Sequence, residues 1–396
     1  MLTKQENDRL TQVNPGTPVG ELLRHYWHPV AVASELEGKG RYGPPKTKRP
    51  KILGEDLVLF RDDQGRYGLL GDRCPHRGVS LSYGFVEDGG IRCPYHGYLF
   101  DVTGKCLEQP DEPADSTEKR LAKHKAYPVQ KLAGLLFAYL GPSPAPLLPR
   151  WSVLVRKDGK RKITVHPVLD CNWLNAQENS VDPVHTRWLH ARVAKLRGLP
   201  GGEYYSRPIA KLEFEEVRGP IWAGILKKRA YGGDQAEQEI GHPLLFPNML
   251  LAPQGPALTL HWRVPIDDTH TQIFWIDFTP SEDGREVEQP EDPPVEYATY
   301  KDESGDFHME SFPSQDAMAW ETQGARGEYR LTENLGAIDQ GIKMFRRMLL
   351  EQIEVVKNGG EPIGLIRDPE KNEIIDFTLS TGQSRFARSE QKAHAA

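Results

Sequence analysis

Short apolar runs separated by turn-forming residues dominate the chain between about residues 50 and 140. The runs 56–60 and 67–70 flank the polar sequence Asp62-Asp63-Gln64-Gly65, which is typical of a β-hairpin. A second hairpin is predicted for residues 98–107 with its turn at Thr103-Gly104, and residues 135–140 form a continuous apolar strand. These strands predict a small antiparallel β domain over residues 41–141.

Apolar residues at helical spacing mark both ends of the chain. Val19, Leu22, Leu23 and Tyr26 recur on one helical face, so residues 1–40 are predicted to be mainly helical and to pack on the C-terminal domain. Residues 338–357 predict a long helix with an apolar face, which ends before Gly359-Gly360.

The remaining pattern predicts a second, mixed domain. Strand-like runs cover residues 163–169, 212–217, 258–264 and 272–278, and helical stretches flank them. We therefore expect an α+β domain with an antiparallel sheet over residues 151–378. Residues 142–150 are rich in proline and predict a linker, whereas residues 379–396 are polar and predict a loose tail.

Composition narrows the class of protein. The 396 residues carry a formal net charge of -6, which gives no signal for binding nucleic acid. The mean hydropathy is -0.58 and no run approaches the roughly 20 apolar residues of a membrane span, so no membrane association is expected. The N-terminus is too polar for a secretory signal, and four cysteines are too few for a disulfide framework. We expect a cytoplasmic protein.

Two short Cys/His runs carry the first chemical signal. Cys74 and His76 form a Cys-x-His arm, and Cys93 and His96 form a Cys-x2-His arm. Two thiolates and two imidazoles can hold either one zinc ion or a Rieske [2Fe–2S] cluster, with one iron on the cysteines and the other on the histidines. Structural zinc sites more often draw Cys-x2–4-Cys and His-x3–5-His pairs, so the spacing favours the cluster.

These four residues, followed by Gly97, resemble the N-terminal Rieske domain of ring-hydroxylating oxygenases. That domain alone could equally belong to a ferredoxin or to a subunit of a respiratory chain. The rest of the sequence is therefore needed to distinguish an enzyme from an electron carrier.

A second candidate site lies at Asp182, His185 and His190, spaced Asp-x2-His-x4-His. Two histidines and a carboxylate on one face form the facial triad of non-heme Fe(II) oxygenases. The alternative is structural, because Asp182-Pro183 is also typical of a helix start. An electron-delivery domain upstream needs an acceptor, and this favours the metal site.

The third ligand is expected at Asp316, which could otherwise serve as a helix N-cap. Asp316 precedes Glu321 by five residues in a segment that resembles the third-ligand region of this family. The chain as a whole resembles the catalytic α subunit of Rieske non-heme iron oxygenases. The Gln315-Asp316 pair, the run 321–324 and the Tyr26-Trp27-His28-Pro29 segment resemble the phthalate dioxygenase branch.

The resemblance implies a Rieske domain, a helix-grip catalytic domain and a homotrimer without β subunits. An NAD(P)H-dependent reductase, with or without a ferredoxin, would supply electrons through the [2Fe–2S] cluster to mononuclear Fe(II), where O2 and an aromatic substrate meet. Asp182 is implied to link a Rieske histidine of the neighbouring subunit to His185 across the subunit boundary. No Gly-x-Gly-x-x-Gly motif stands in a strand–helix setting, so the nicotinamide is expected on a partner.

The outcome of the reaction stays open at this point. It is either cis-dihydroxylation of a ring or monohydroxylation, which includes O-demethylation and ether cleavage. An aromatic acid would require an arginine or lysine in the pocket, and the sequence singles out none of Arg187, Arg207, Arg218 and Arg229. A Rieske electron carrier or a zinc protein without oxygenase activity is the alternative from another class.

Overall fold

The computed structural model describes residues 1–38, 46–87, 89–113, 123–198, 202–231, 238–254 and 257–376. The predicted tail, residues 379–396, lies outside the described residues. The chain divides into two compact units. The larger comprises Met1–Leu23, Pro146–Gln289 and Pro293–Ala396, and the smaller comprises Arg24–Ala145 with Pro290–Asp292.

The N-terminal segment begins with the helices α1 (Lys4–Thr11) and α2 (Pro18–Arg24). Thr3 and Glu6 cap α1 reciprocally, in the capping-box arrangement that satisfies the first backbone N–H groups. The prediction that residues 1–40 are mainly helical is wrong beyond α2, because β1 (Trp27–Val32) is a strand. All six residues of β1 are buried, and a strand buried on both faces has no alternation that would distinguish it from a helix.

In its described residues, the smaller unit consists of short antiparallel strands in three sheets. The sheet orders are β1-β12-β11, then β10-β5-β4-β2 with β3 beside β4, and β6-β7-β8-β9. After β1, its strands are β2 (Thr47–Lys48), β3 (Lys51–Ile52), β4 (Glu55–Arg61), β5 (Tyr67–Gly71), β6 (Phe85–Glu87), β7 (Gly90–Arg92), β8 (Leu99–Asp101), β9 (Cys106–Glu108), β10 (Ala126–Tyr127), β11 (Val129–Leu132) and β12 (Leu135–Tyr139). Both predicted hairpins, β4–β5 and β8–β9, and the strand β12 are confirmed.

The larger unit contains one long sheet with helices packed on it. The sheet order is β14-β15-β16-β17-β18-β19-β13-β20, antiparallel except for the pair β13–β20. Its strands are β13 (Gly159–Val165), β14 (Ile209–Arg218), β15 (Ala223–Tyr231), β16 (Gln238–Leu245), β17 (Met249–Gln254), β18 (Ala257–Asp267), β19 (His270–Pro280) and β20 (Val295–Tyr297). The helices that follow α2 are α3 (Ser152–Val155), α4 (Trp173–Asn179), α5 (Ala191–Arg197), α6 (Gly202–Tyr205), α7 (Phe312–Thr322) and α8 (Gln340–Lys357).

Helix α8 packs on the sheet of the larger unit, as the apolar face in its sequence predicts. It packs against β14 and β15, and Phe345 lies edge-on to Trp173 of α4 with ring centroids 6.5 Å apart. The chain leaves α8 through Gly359, whose φ of 77° is accessible to glycine at low cost. The predicted α+β class is confirmed. In the described part of the chain, every helix is too short or too polar to cross a bilayer.

Candidate metal centres

The two Cys/His loops of the smaller unit have the same backbone hydrogen-bond pattern. In the first loop the Cys74 N–H donates to the Val79 carbonyl at 2.8 Å, and the Gly78 N–H donates to the Cys74 carbonyl at 2.8 Å. The second loop repeats both bonds at the same offsets from Cys93, at 2.8 and 3.1 Å. Each cysteine therefore stands at the start of an equivalent tight turn.

The residues around the two cysteines extend this equivalence. Gly78 and Gly97, four positions after each cysteine, have φ angles of 73° and 71°, in the region that favours glycine. The arginine that precedes each cysteine donates to the carbonyl of its own glycine, Arg73 at 3.3 Å and Arg92 at 2.8 Å. The two loops thus have equivalent backbone structures, and each presents one cysteine and one histidine towards the other loop.

The two cysteine ligands are more deeply buried than the two histidine ligands. Cys74 and Cys93 are 2% and 3% exposed within an apolar core, whereas His76 is exposed and His96 half-buried. The imidazole centroids are 4.6 Å apart at 67°. A hydrogen bond between the thiols raises the pKa of Cys74 and lowers that of Cys93 to about 6.

This arrangement fits a two-iron cluster better than a zinc ion. A tetrahedral zinc draws four ligand atoms to within 2.0–2.3 Å of one centre, so that all four are mutual neighbours. Within the described part of the chain, Cys74, His76, Cys93 and His96 do not bring three candidate ligand atoms within 4.8 Å of one another. A cluster with one iron on the sulfurs and one on the imidazoles separates the pairs in this way.

In the larger unit, His185, His190 and Asp316 bring three ligand atoms within 4.8 Å of one another. The Asp316 Oδ1 lies 3.3 Å from the His190 Nε2 and 3.6 Å from the His185 Nε2. The histidines lie between α4 and α5, and Asp316 belongs to α7, which contacts α4. The structure thus brings together the three residues that the sequence proposes for the mononuclear site.

A π-helical turn, Thr186–His190, explains how residues five apart face one centre. In an α-helix each residue advances by about 100°, so a residue and its fifth neighbour point about 140° apart. The wider π-turn closes its hydrogen bonds over five residues and brings His190 back over His185. The two rings lie 5.1 Å apart at 78°, which leaves their Nε2 atoms free to converge.

The Asp316 Oδ1 is buried and has no hydrogen-bond partner. Burial raises the pKa of Asp316, but the neighbouring His190 and His185 outweigh that effect and the pKa lies below its ordinary value. An ionised, buried oxygen without a donor is costly unless a cation fills the space. Two imidazoles and one carboxylate form the donor set of non-heme Fe(II), so the residues fit that ion.

Gln315 orients one of these ligands, a role that the sequence did not suggest. Its Nε2 donates to the Met309 carbonyl at 2.8 Å, so its Oε1 faces His190 and accepts from Nδ1 at 2.8 Å. This bond fixes the proton of His190 on Nδ1 and leaves Nε2 for a metal, which is the usual support of a ligating histidine. Phe312 stacks on the ring of His190, with centroids 4.8 Å apart.

Asp182 combines the two roles that the sequence left open. Its Oδ1 accepts from the backbone N–H groups of Val184 at 2.7 Å and His185 at 3.3 Å, as a residue at a helix start does. Its Oδ2 lies 3.6 Å from the His185 Nδ1, a buried atom without a hydrogen-bond partner. Burial raises the pKa of Asp182, yet His185 outweighs burial and the pKa is lowered.

Comparisons with known proteins identify the family. Residues 26–129 match the model of the Rieske [2Fe-2S] domain. The chain is 41% identical to the 5,5'-dehydrodivanillate O-demethylase oxygenase subunit of Sphingobium sp. strain SYK-6, over 95% of this chain and 86% of that protein. The chain belongs to the Rieske non-heme iron oxygenases. Another oxygenase subunit of this family, that of phthalate 4,5-dioxygenase from Pseudomonas putida, is 30% identical over 95% of this chain and 92% of its own length.

A solved structure shares the fold of this Rieske oxygenase. The reduced complex between oxygenase and ferredoxin in carbazole 1,9a-dioxygenase matches with a TM-score of 0.60 and 22% identity, over 87% of this chain and 93% of that chain. The predicted family and its branch are confirmed, and so is the pair of cofactors: a Rieske [2Fe–2S] cluster and a mononuclear iron. The alternatives of a zinc protein or a simple electron carrier are excluded, because the likeness covers both units.

Proposed function

We propose that Cys74 and Cys93 hold one iron of the [2Fe–2S] cluster and that His76 and His96 hold the other. The matched loops and the separation of the buried sulfurs from the less buried imidazoles support this assignment. We propose His185, His190 and Asp316 as the ligands of the mononuclear Fe(II). The unpartnered Asp316 Oδ1 beside two converging Nε2 atoms is the observation that carries this proposal.

We infer that the chain is a terminal oxygenase that acts on an aromatic acid. The two similar oxygenase subunits are named for dehydrodivanillate and phthalate, both aromatic carboxylates. Electrons would come from an NAD(P)H-dependent reductase, and the solved oxygenase–ferredoxin complex supports a ferredoxin as the direct donor. In ring dihydroxylation, the arene, O2, NAD(P)H and H⁺ give the cis-dihydrodiol and NAD(P)⁺.

When bound, the two iron centres supply single-electron transfer and reductive activation of O2. The chain's own residues prepare the site for this chemistry. Gln315 holds the tautomer of His190, and Asp182 faces the Nδ1 of His185. In a homotrimer, we propose that Asp182 also accepts a hydrogen bond from a Rieske histidine of the neighbouring subunit, which places a carboxylate between the two centres.

O-Demethylation is the second candidate, and the relative at 41% identity favours it because that protein is named an O-demethylase. An aryl methyl ether, O2, NAD(P)H and H⁺ would give the phenol, formaldehyde, water and NAD(P)⁺. Hydroxylation at the methyl carbon yields a hemiacetal, which releases formaldehyde and the phenol. The ligand set is the same for both outcomes, so the products separate them.

Two measurements test the proposed function. Metal analysis of the purified protein should approach three irons per chain, two in the cluster and one mononuclear, and the Asp316→Ala variant should retain about two. A panel of methoxylated and unsubstituted aromatic acids, supplied with reductase and NADH, should give either formaldehyde or a cis-diol by mass spectrometry. Two irons per chain in the wild type would contradict the assignment of His185, His190 and Asp316.

A further inference from the structure

Arg263 is a buried cation, and two of the three nitrogens of its guanidinium group have no hydrogen-bond partner. It lies on β18 and is 2% exposed, and its Nε and Nη1 atoms donate no hydrogen bond. Burial lowers the pKa of Arg263 to about 10, although the charge of Asp316 opposes the shift. A buried charge of this kind is costly unless an anion pairs with it. Such a residue is expected where the anion arrives from outside the chain.

Two other buried arginines of the same unit, Arg161 and Arg330, have hydrogen-bond or ion-pair partners within the chain. Arg161 is 9% exposed and donates its Nε to the Val153 carbonyl at 2.7 Å and its Nη2 to the Arg156 carbonyl. Arg330 is fully buried and is paired with Glu178. Arg263 therefore differs from Arg161 and Arg330, because its buried Nε and Nη1 atoms donate no hydrogen bond.

The residues beside Arg263 form one polar surface on the sheet. His261 stands two residues before it on the same strand face, and the partner of His261 across β19 is Trp275. These two rings stack with centroids 4.1 Å apart at 18°. His166 follows β13, and its ring centroid lies 4.2 Å from that of Trp275. We refer to Arg263, His261, Trp275 and His166 as the Arg263 cluster.

The Arg263 cluster holds six buried polar atoms without a hydrogen-bond partner. Besides the two of Arg263, these are both ring nitrogens of His261, the Nε2 of His166 and the Nε1 of Trp275. Burial, with the charge of Arg263, lowers the pKa of His166 to about 3 and that of His261 well below its ordinary value. The histidines are therefore neutral hydrogen-bonding groups around a single charge.

The Arg263 cluster faces the helix that carries Asp316. Ile273, the partner of Arg263 across β19, packs in one apolar cluster with Ala317, the residue after Asp316. Tyr300 hydrogen-bonds to His166 and accepts through its carbonyl from the Ser314 hydroxyl of α7 at 2.7 Å. The charges of Arg263 and Asp316 influence each other's pKa. A ligand on the cluster would thus lie next to the metal residues.

We propose that Arg263 binds the carboxylate of the aromatic acid and is the residue that selects an acid over its uncharged analogue. Guanidinium pairs with carboxylate through charge-assisted bonds, and the stacked rings of His261 and Trp275 lie on the same face of the sheet as Arg263. The unused nitrogens of His261 and His166 are placed to hydrogen-bond oxygen substituents of the same ligand. This inference rests on the proposed function, because it specifies the substrate class at the same site.

The test uses the iron-loaded protein and two probes, 4-methoxybenzoate and its methyl ester, with calorimetry to measure binding. The wild type should bind the acid at least about tenfold more tightly than the ester, because a hydrogen bond to a charged group has this effect. Arg263→Met should lose this preference and keep the affinity for the ester within about threefold. Arg263→Lys should fall between the two, since the ammonium retains the charge but not the planar fork.

Thermal unfolding separates binding from structural support. Arg263→Met without ligand should melt at the wild-type temperature or above, because it removes a buried charge that leaves two of its donor nitrogens without a hydrogen-bond partner. The matched control Arg161→Met should melt lower and keep the preference for the acid. The inference is overturned if the wild type binds the ester as well as the acid or binds neither, or if Arg263→Met keeps the preference. It is equally overturned if Arg263→Met lowers the melting temperature and both affinities together.

The same samples distinguish this inference from the proposed function. Iron content and the visible spectrum of the cluster report on the metal centres without any ligand. Normal iron with an unchanged preference in Arg263→Met would overturn only the role of Arg263. Loss of the third iron in the wild type would overturn the metal assignment, while acid binding could still be measured.

Discussion

Glu178 and Arg330 form an ion pair enclosed by the protein, with 2.7 Å between the Glu178 Oε2 and the Arg330 Nη2. Arg346 of α8 binds the other oxygen of the same carboxylate at 2.5 Å, and the Arg330 Nη2 also donates to the Asn175 Oδ1 at 2.9 Å. Glu178 and Asn175 belong to α4, which leads to His185, whereas Arg330 follows α7, which carries Asp316. The pair therefore ties together the two segments that supply the metal ligands.

Replacement of Arg330 by methionine should destabilise the larger unit by about 3–5 kcal/mol, because it leaves a buried carboxylate with one cation fewer. Urea-induced unfolding measures the change. Arg347→Met is the control, since Arg347 is 57% exposed and its pair with Glu216 should contribute less than about 1 kcal/mol. Equal losses in the two variants would contradict the role of the buried pair.

Glu178 should make the free energy of unfolding depend on pH in the acidic range. Burial raises its pKa, but Arg330 and Arg346 outweigh burial, so its folded-state pKa lies below the ordinary value of 4.5. Its contribution is complete above pH 4.5 and is lost as the pH falls from there through the folded-state pKa. Glu178→Gln should be less stable at pH 7 and should show a flatter decline below pH 4.5, measured by urea midpoints across that range. Parallel curves for both proteins would disprove this.

Gln315→Leu should weaken Fe(II) binding at the mononuclear site by about 10–100-fold, because His190 loses the acceptor that fixes its tautomer. Iron titration of the apo site measures this, while the visible spectrum of the cluster should not change. Gln352→Leu is a control of the same chemistry: Gln352 is a buried glutamine whose Oε1 accepts from the Ile363 N–H at 3.0 Å. That variant should bind iron normally.

Gly78→Ala and Gly97→Ala should each destabilise their loop by about 1–2 kcal/mol, because both positions have positive φ. Gly97→Ala should lose more, since a Cβ there would approach the Pro110 Cγ to 3.0 Å, whereas the Cβ at Gly78 meets nothing within 4 Å. The rate at which visible absorbance decays on warming measures the effect. Gly16→Ala, with φ of 81° in the other unit, should leave that rate unchanged.

Asp182→Asn should leave about three irons per chain but slow the oxidation of the reduced cluster by O2 and substrate at least tenfold, because the proposed link between the centres loses its charge. Asparagine remains a good residue for a helix start, so the local fold should persist. Single-turnover absorbance measures the rate. A normal rate would mean that Asp182 acts only as a cap for the turn that begins at Val184.

The sequence predicts well what is local. Cys74 and His76, and likewise Cys93 and His96, lie within one short loop each, and the hairpins around them are encoded by adjacent turn residues. The β1 strand was assigned to a helix because its burial on both faces removes the alternation that identifies strands. The sequence does not predict strands β15 to β17, because lysines, glycines and prolines interrupt their apolar residues.

Partnerships between distant segments could not be derived from local pattern. Asp316 was found only through resemblance to a family, since nothing near it in the sequence indicates that it faces His190. The sequence does not single out Arg263, although Arg263 alternates with His261 along the run 257–267. What distinguishes Arg263 is that two of its buried nitrogens have no hydrogen-bond partner, and this can be seen only in the folded protein.

The π-turn at Thr186–His190 has a consequence beyond the spacing of two histidines. In an ordinary helix, one extra residue rotates everything after it by about 100°, whereas the π-turn absorbs the extra residue within one turn and so also sets which side of α5 faces the protein. Deletion of one residue between His185 and His190 would restore an ordinary helix with both rings on one side. Conversion of the five-residue turn to an ordinary helix without a deletion would instead rotate His190 away from His185 and, with it, Ala191 and Ala194, which are now buried. The register of the following helix and the ligand geometry therefore cannot vary independently.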